Sequence, residues 1–288
     1  EPVYAYDLAQ APFDGEGFVT AIEQEDANTA YAMIQGGVAS GMNYADFEPW
    51  LARAAMAHYQ DFGHSAIYVY KMGQLVDRLG PDVLHPCLLA LTRGLIYASR
   101  EDLIPEFRHY ATALGNWDGA GRERVTAVSF MGLSVNKALD LAVASSNDIP
   151  ALYDALLGAL CRYMRQFNLS LQGRTDLSVS NNVGWLDFSH GLTFANAVRV
   201  LCQRYPALWP AGLLQMACFI GRNTAYVDLE LDTAEWDVAD DAAFLEKHKA
   251  MLLDHGNPEY IVSVHLLKLL TAVEEELSAA PRAPWRAD

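Results

Sequence analysis

The chain has 288 residues, of which 52% are apolar and 19% charged, and its formal net charge is −16. That much apolar material is enough for a large buried core and argues against a disordered chain. The acidic balance argues against a nucleic-acid partner, whose phosphates need clustered Lys and Arg. It argues equally against an anionic membrane surface. No apolar run reaches the roughly 18 residues that span a bilayer.

The N-terminal EPVYAYDLAQ lacks the basic and apolar regions of a signal peptide. The first Gly- and Asn-rich break is GGVASGMNY at 36–44. The run PWLARAAMAHYQ then places Trp50, Leu51, Ala54, Ala57 and His58 near one face of a helix. AIYVYK (66–71) is β-rich in composition, but it continues into MGQLVDRLG with apolar spacing near 3.6 and is expected to be helical. HPCLLALTRGLIYAS is apolar nearly all round, as for a helix buried between others. REDLIPEFRHYATAL restarts with Glu101 and Asp102, as favoured in a first helical turn.

A second break, GNWDGAGRE, covers 115–123, and VTAVSF (125–130) is another short β-rich run between helical patterns. In DIPALYDALLGALCRYMRQF, Asp148 is a candidate N-cap with Pro150 near the first turn. A third break, QGRTDLSVSNNVG, covers 172–184. The last strong helix is PEYIVSVHLLKLLTAVEEELSAA, with Asn257 as N-cap and Pro258 at its first position. It is apolar at Tyr260, Ile261, Val264, Leu267 and Leu270.

None of the breaks has the length or composition of a linker. The expectation is an all-α protein with ten or more helices, forming a single large multi-helix domain over 1–280, with a frayed tail at 281–288. Cys87, Cys161, Cys202 and Cys218 show no CxxC pairing and sit in or at apolar runs. They read as reduced, buried thiols, which points to a cytoplasmic location.

Several common signatures are missing: GxGxxG after a strand, GxxxxGK[ST], HExxH and GxSxG. ExxH occurs once, at Glu106 and His109, without the pairing that a ferritin-like di-iron site needs. What remains is eight histidines. His265 sits in VSVHLLKLLTAV, and Lys268 follows three residues later on the same helix face. An amine in such apolar surroundings has its pKa lowered by desolvation. Once neutral, it can react with carbon dioxide to form a carbamate, an anionic oxygen ligand one turn from an imidazole. The other reading is a lysine that snorkels to solvent beside a hydrogen-bonded core histidine.

His190, in WLDFSHGLTFANAVRVL, reads as a residue at a helix start, with Ser189 or Asp187 as cap and Gly191 leaving room for a ligand. His64 follows Gly63. His58 lies six residues earlier and would meet it only across a helix break at that glycine. His85 precedes Pro86. His109 and His248 have charged neighbours and read as surface residues, and His255 reads as a loop or helix-end residue. Tyr68, Tyr70, Trp185 and Phe194 are near these histidines and read as pocket lining or as plain core. Arg222 and Asn223 read as holders of a substrate oxyanion or as a helix end.

Four segments resemble motifs of the questin oxidase family, in that family's order, from His64 to Leu277. They are GHSAIYVYKMGQLVDRLG, LHPCLLALTRGLIYASREDLIPEFRHY, FSHGLTFANAVRVL and VHLLKLLTAVEEEL. The resemblance implies an all-helical fold and an oxygenase of anthraquinone-type polyketides. It also implies iron held by four histidines and a carboxylated lysine. Carried over by position, the ligands are His64, His85, His190, His265 and Lys268. Leu89 stands where the second region often has another histidine, and Gly63 stands where the early motif has Asn. Imidazoles with a carbamate oxygen suit Fe(II), and zinc or manganese as well. The implied substrate is a small aromatic molecule together with dioxygen; Tyr68, Trp185 and Arg222, by their place near the motifs, are its candidate contacts. Two other functions are open: a cofactor-independent monooxygenase using a histidine as general base, and a helical binding module with a remnant metal site.

Overall fold

A computed structural model describes residues 10–174, 176, 183–252 and 259–288. The protein is all-α, with thirteen α-helices among the described residues. Those residues contain two isolated β-bridges, Gln60 with Arg100 and Phe167 with Val227, and no strand. The chain divides into two compact units.

The first unit takes the chain up to Pro105, together with Ala197–Ala211. It holds α1 (Gly15–Glu23), α2 (Ala27–Ala39), α3 (Tyr44–Met56), α4 (His64–Leu79) and α5 (Leu84–Ile96). Side-chain caps start the first three helices. Asp14, Asp26 and Asn43 accept hydrogen bonds from the backbone N–H groups of Gly17, Thr29 and Ala45. This satisfies donors that have no partner inside the helix. Phe18, Ile34, Phe47 and Leu51 are fully buried and form the centre of this core. Glu48 is buried too, held by Arg204 at 2.5 Å and by the Tyr205 hydroxyl at 2.8 Å.

The second unit takes Glu106–Asn196 and Gly212–Asp288. It holds α6 (His109–Gly115), α7 (Ala127–Phe130), α8 (Val135–Ala144) and α9 (Ile149–Arg165). Then come the first part of α10 (Trp185–Arg204), most of α11 (Trp209–Asn223), α12 (Asp241–Met251) and α13 (Tyr260–Ala279). Asp148 caps α9 by accepting from the Ala151 N–H at 3.1 Å, with Pro150 in the first turn, as expected. Gly191 lets α10 approach α9, because a Cβ there would stand 2.8 Å from Leu160. The room beside His190 is therefore filled by a leucine.

The β-rich runs are helical. AIYVYK lies inside α4, and VTAVSF contains α7, whose start is closed by Thr126 and Ser129. Three expectations need correction. PWLARAAMAHYQ stops being helical at Met56, so His58 is outside α3. REDLIPEFRHYATAL is broken, with a 3-10 turn at Glu101–Leu103 and α6 beginning only at His109. Pro105 explains this, since it forces Ile104 into extended backbone at φ −81° and ψ 154°. The tail does not fray. Pro284–Ala287 forms a 3-10 turn, and Trp285 is buried with its Nε1 donating to Asp154 at 2.8 Å.

Asn257, Pro258 and His255 lie outside the described residues. The start of α13 carries no side-chain cap at Glu259. No described helix is long and apolar enough to cross a membrane.

Candidate metal centre

His64 opens α4 directly after Asp61, Phe62 and Gly63, three consecutive residues with positive φ of 49°, 52° and 75°. The left-handed region costs an L-residue on the order of 1–2 kcal/mol, so two non-glycine residues there must be held by their surroundings. Backbone hydrogen bonds hold the turn: the Asp61 N–H donates to the Ser99 carbonyl at 2.8 Å and the Gly63 N–H to the Gln60 carbonyl at 2.9 Å. Burial pushes the pKa of Glu101, beside this turn, up to about 7. The turn brings the His64 ring back onto its own loop, where Nδ1 donates to the Asp61 carbonyl at 2.6 Å.

His190 lies in the second turn of α10, not at its start, and its Nδ1 donates to the Leu186 carbonyl at 2.5 Å. His265 lies in the second turn of α13, and its Nδ1 donates to the Ile261 carbonyl at 2.6 Å. Both contacts reach four residues back, the direction in which a helical Cα–Cβ bond points. Both side chains are buried, with ring centroids 5.1 Å apart at 66°.

A carbonyl oxygen can only accept a hydrogen bond, so in each of these three histidines Nδ1 carries the proton. In a neutral imidazole Nε2 then carries the lone pair. One ring nitrogen from each of His64, His190 and His265 lies within 4.8 Å of the others, so this group could hold a metal ion. Burial lowers the pKa of His265, and the charge of Lys268 lowers it further. Both effects keep its lone pair available near neutral pH. This donor set fits a first-row divalent metal, whose histidine ligands normally donate their other N–H to a carbonyl or carboxylate.

Lys268 stands one turn beyond His265 and is partly buried. Burial lowers its pKa to about 8. Its helix is not oriented as the apolar pattern suggests. Tyr260, Ile261, Val264 and Leu267 are all exposed, Tyr260 by 81%. The buried positions are His265, Ala272 and Glu276. The inward face of α13 is therefore the stripe that carries its polar groups.

His85 is the second residue of α5 and is not in the three-histidine group. Trp185 sits edge-on to His265 at 6.4 Å between ring centroids. Tyr68 is half-exposed, with its ring 5.4 Å from that of His64. Arg222 donates to Asp187 at 3.1 Å, and Asn223 donates to the Asp187 carbonyl at 3.3 Å. These two residues brace the first turn of α10, just ahead of His190. Tyr70 and Phe194 are core residues.

Sequence reasoning missed two features. One is the Asp61–Gly63 turn tied to the Ser99 carbonyl. The other is the fate of His58, whose Nδ1 and Nε2 lie 2.9 Å from Asp102 and Glu23 respectively. The four cysteines form no disulfide: Cys202 and Cys218 are buried, Cys87 and Cys161 partly so. Comparison with known proteins finds no matching family model, no matching curated protein and no matching solved structure.

Proposed function

We propose that this chain is a metal-dependent oxygenase acting on an electron-rich aromatic or quinone-type small molecule. Its metal is a non-haem iron(II) or another first-row divalent ion held by His64, His190 and His265. The observation that carries the reading is the shared tautomer of the three imidazoles. Each gives its Nδ1 proton to a backbone carbonyl, so each lone pair is on Nε2. Core histidines placed only for packing have no reason to share that arrangement around one point. The oxygenase chemistry is supported by the resemblance to the questin oxidase family, which implies these same three histidines among its ligands.

When bound, such an ion supplies electrons to dioxygen and a Lewis acid for a phenolate oxygen. The backbone carbonyls hold each imidazole in orientation and raise its basicity. Lys268, with its pKa near 8, has a sizeable neutral fraction at physiological pH. Its amine nitrogen can add to the carbon of carbon dioxide, forming an N–C bond and releasing one proton. The resulting carbamate is an anionic oxygen donor one turn from His265. Trp185, edge-on to His265, offers an apolar ring surface to a flat substrate. Arg222 and Asn223 hold Asp187 and so fix the turn from which His190 projects.

The test is metal analysis of protein expressed with iron, alongside His190→Ala and His265→Ala, followed by oxygen uptake with a hydroquinone panel. The reading expects about one metal per chain, lost in both variants, and metal-dependent oxygen consumption. A wild-type protein that keeps no metal overturns it. Metal without oxygen uptake points to a binding module, and uptake without metal points to a cofactor-independent enzyme.

A further inference from the structure

The second unit contains a cavity of about 300 Å³, at the small end of the range for small-molecule sites. It is bordered by α9, α12, α13 and the C-terminal turn, and aliphatic side chains of α9 and α13 make up much of its wall. Three aromatic residues, Trp236, Phe244 and Trp285, also line it. Trp236 and Phe244 are each about two-fifths exposed, so both keep surface that a ligand could cover.

Five charged residues reach the cavity, and the protein engages each of them itself. Arg165 donates to Asp237 at 2.5 Å and to the Thr233 carbonyl at 2.6 Å. Asp288 accepts from Arg162 at 3.0 Å and lies 3.8 Å from Arg165. Asp241 and Arg286 pair with each other, and Arg286 also donates to the Leu277 carbonyl at 2.6 Å. Glu276 is buried, with the Tyr153 hydroxyl and the Asn196 amide among its donors. An ion entering this cavity would leave water and have to draw its counter-charge out of an existing interaction, and both steps cost free energy. A neutral molecule meets neither cost. Ring faces at Trp236 and Phe244 favour an aromatic body, since offset and edge-on ring contacts add to the burial of apolar surface.

We propose that this cavity binds a neutral aromatic small molecule, with its rings against Trp236 and Phe244 and its edge among the aliphatic side chains. None of His64, His190 and His265 lines the cavity, so the inference does not rest on the metal reading.

The test is calorimetric titration of the full-length wild-type chain with 1-naphthylmethanol, 1-naphthylmethylamine, 1-naphthoate and 1-decanol, before and after treatment with a chelator. The naphthyl alcohol is expected to bind most tightly, roughly tenfold or more ahead of the amine and the carboxylate, because each of those must lose the hydration of its charge. This order runs against the chain's net charge of −16, which by itself favours the amine. Trp236→Ala and Phe244→Ala should each weaken the naphthyl alcohol roughly three- to tenfold, the scale of one aromatic contact. Both rings are partly exposed, so neither change empties the core, and the wild-type comparison stands without them. An amine or carboxylate that binds as tightly as the naphthyl alcohol overturns the neutral class. Decanol binding as tightly overturns the aromatic class. No binding by any probe, or an affinity unchanged in both variants, overturns the site. Binding that disappears on chelation places the ligand at the histidines and also overturns it.

Discussion

Two histidine environments in this protein are opposites. In the first unit, His58 is bonded to a carboxylate at each nitrogen, Asp102 at one and Glu23 at the other, with Arg100 3.4 Å from Glu23. Two carboxylate acceptors call for two N–H donors, so His58 is held as an imidazolium. Asp102 and then Glu23 raise its pKa against the effect of burial. In the second unit, His190 and His265 each give one nitrogen to a helical carbonyl and face each other across 5.1 Å. Burial lowers the pKa of His265, which favours the neutral ring. The first arrangement uses both nitrogens for structure and leaves no ligand atom. The second uses one for structure, and the other is the lone-pair atom that a metal ligand requires. What separates a structural histidine from a candidate ligand is the partner type at each nitrogen, not burial.

The largest expected effect falls on metal binding. His265→Ala or His190→Ala should weaken metal retention at least a hundredfold, roughly the scale on which even supporting residues act. His58→Ala should leave the metal content unchanged. Metal analysis of the three proteins tests the contrast, and equal loss in all three would erase it.

The next effect is on stability. His58→Ala leaves Glu23 and Asp102 facing each other without their shared cation. With one carboxylate a third exposed, about 2–3 kcal/mol should be lost, measured by denaturant unfolding. A loss under about 0.5 kcal/mol would mean that the ion cluster contributes little.

Lys268→Ala should weaken metal binding by roughly tenfold, about 1.4 kcal/mol, with little change in the stability of metal-free protein. Lys268→Glu should recover part of that affinity, since it also places an anionic oxygen on the same face. Full metal occupancy in Lys268→Ala removes the lysine from the site.

The smallest effect is the pH dependence, and here the two environments should differ in sign. His58 has a raised pKa, so its stabilisation is complete below about 6.5 and is lost as pH rises through its folded value. Glu101 acts in the same direction. Its fold-stabilised protonated form is lost as pH rises from about 4.5 to about 7. His265 has a lowered pKa, so its contribution is present above about 6.5 and fades as pH falls below that. Unfolding midpoints of metal-free wild type, His58→Gln and His265→Gln across this range test the opposition. Parallel curves for the two variants would refute it.

Much of the helical framework was legible in the sequence. The 3.6-residue spacing through MGQLVDRLG outweighed the β-branched AIYVYK run, because a helix propagates cooperatively once its face is buried. Asp148 and Pro150 marked the start of α9 because capping is a local interaction of neighbouring residues. The three candidate ligands were also legible, His64, His190 and His265, through the motifs around them. The strained turn before His64 was not, since the backbone bond that ties it comes from Ser99, nearly forty residues away.

What the sequence determined by itself is local: helical periodicity and caps. These depend on residues within a turn or two of each other. The tertiary structure decided which face of α13 turns inward, against the apolar pattern of Tyr260, Ile261, Val264 and Leu267. It decided that the tail docks through Trp285, and that His58 is locked between carboxylates from distant segments. A helix can bury either of two stripes, and a histidine can meet carbonyl, carboxylate or metal. Only the neighbours brought in by packing choose among them.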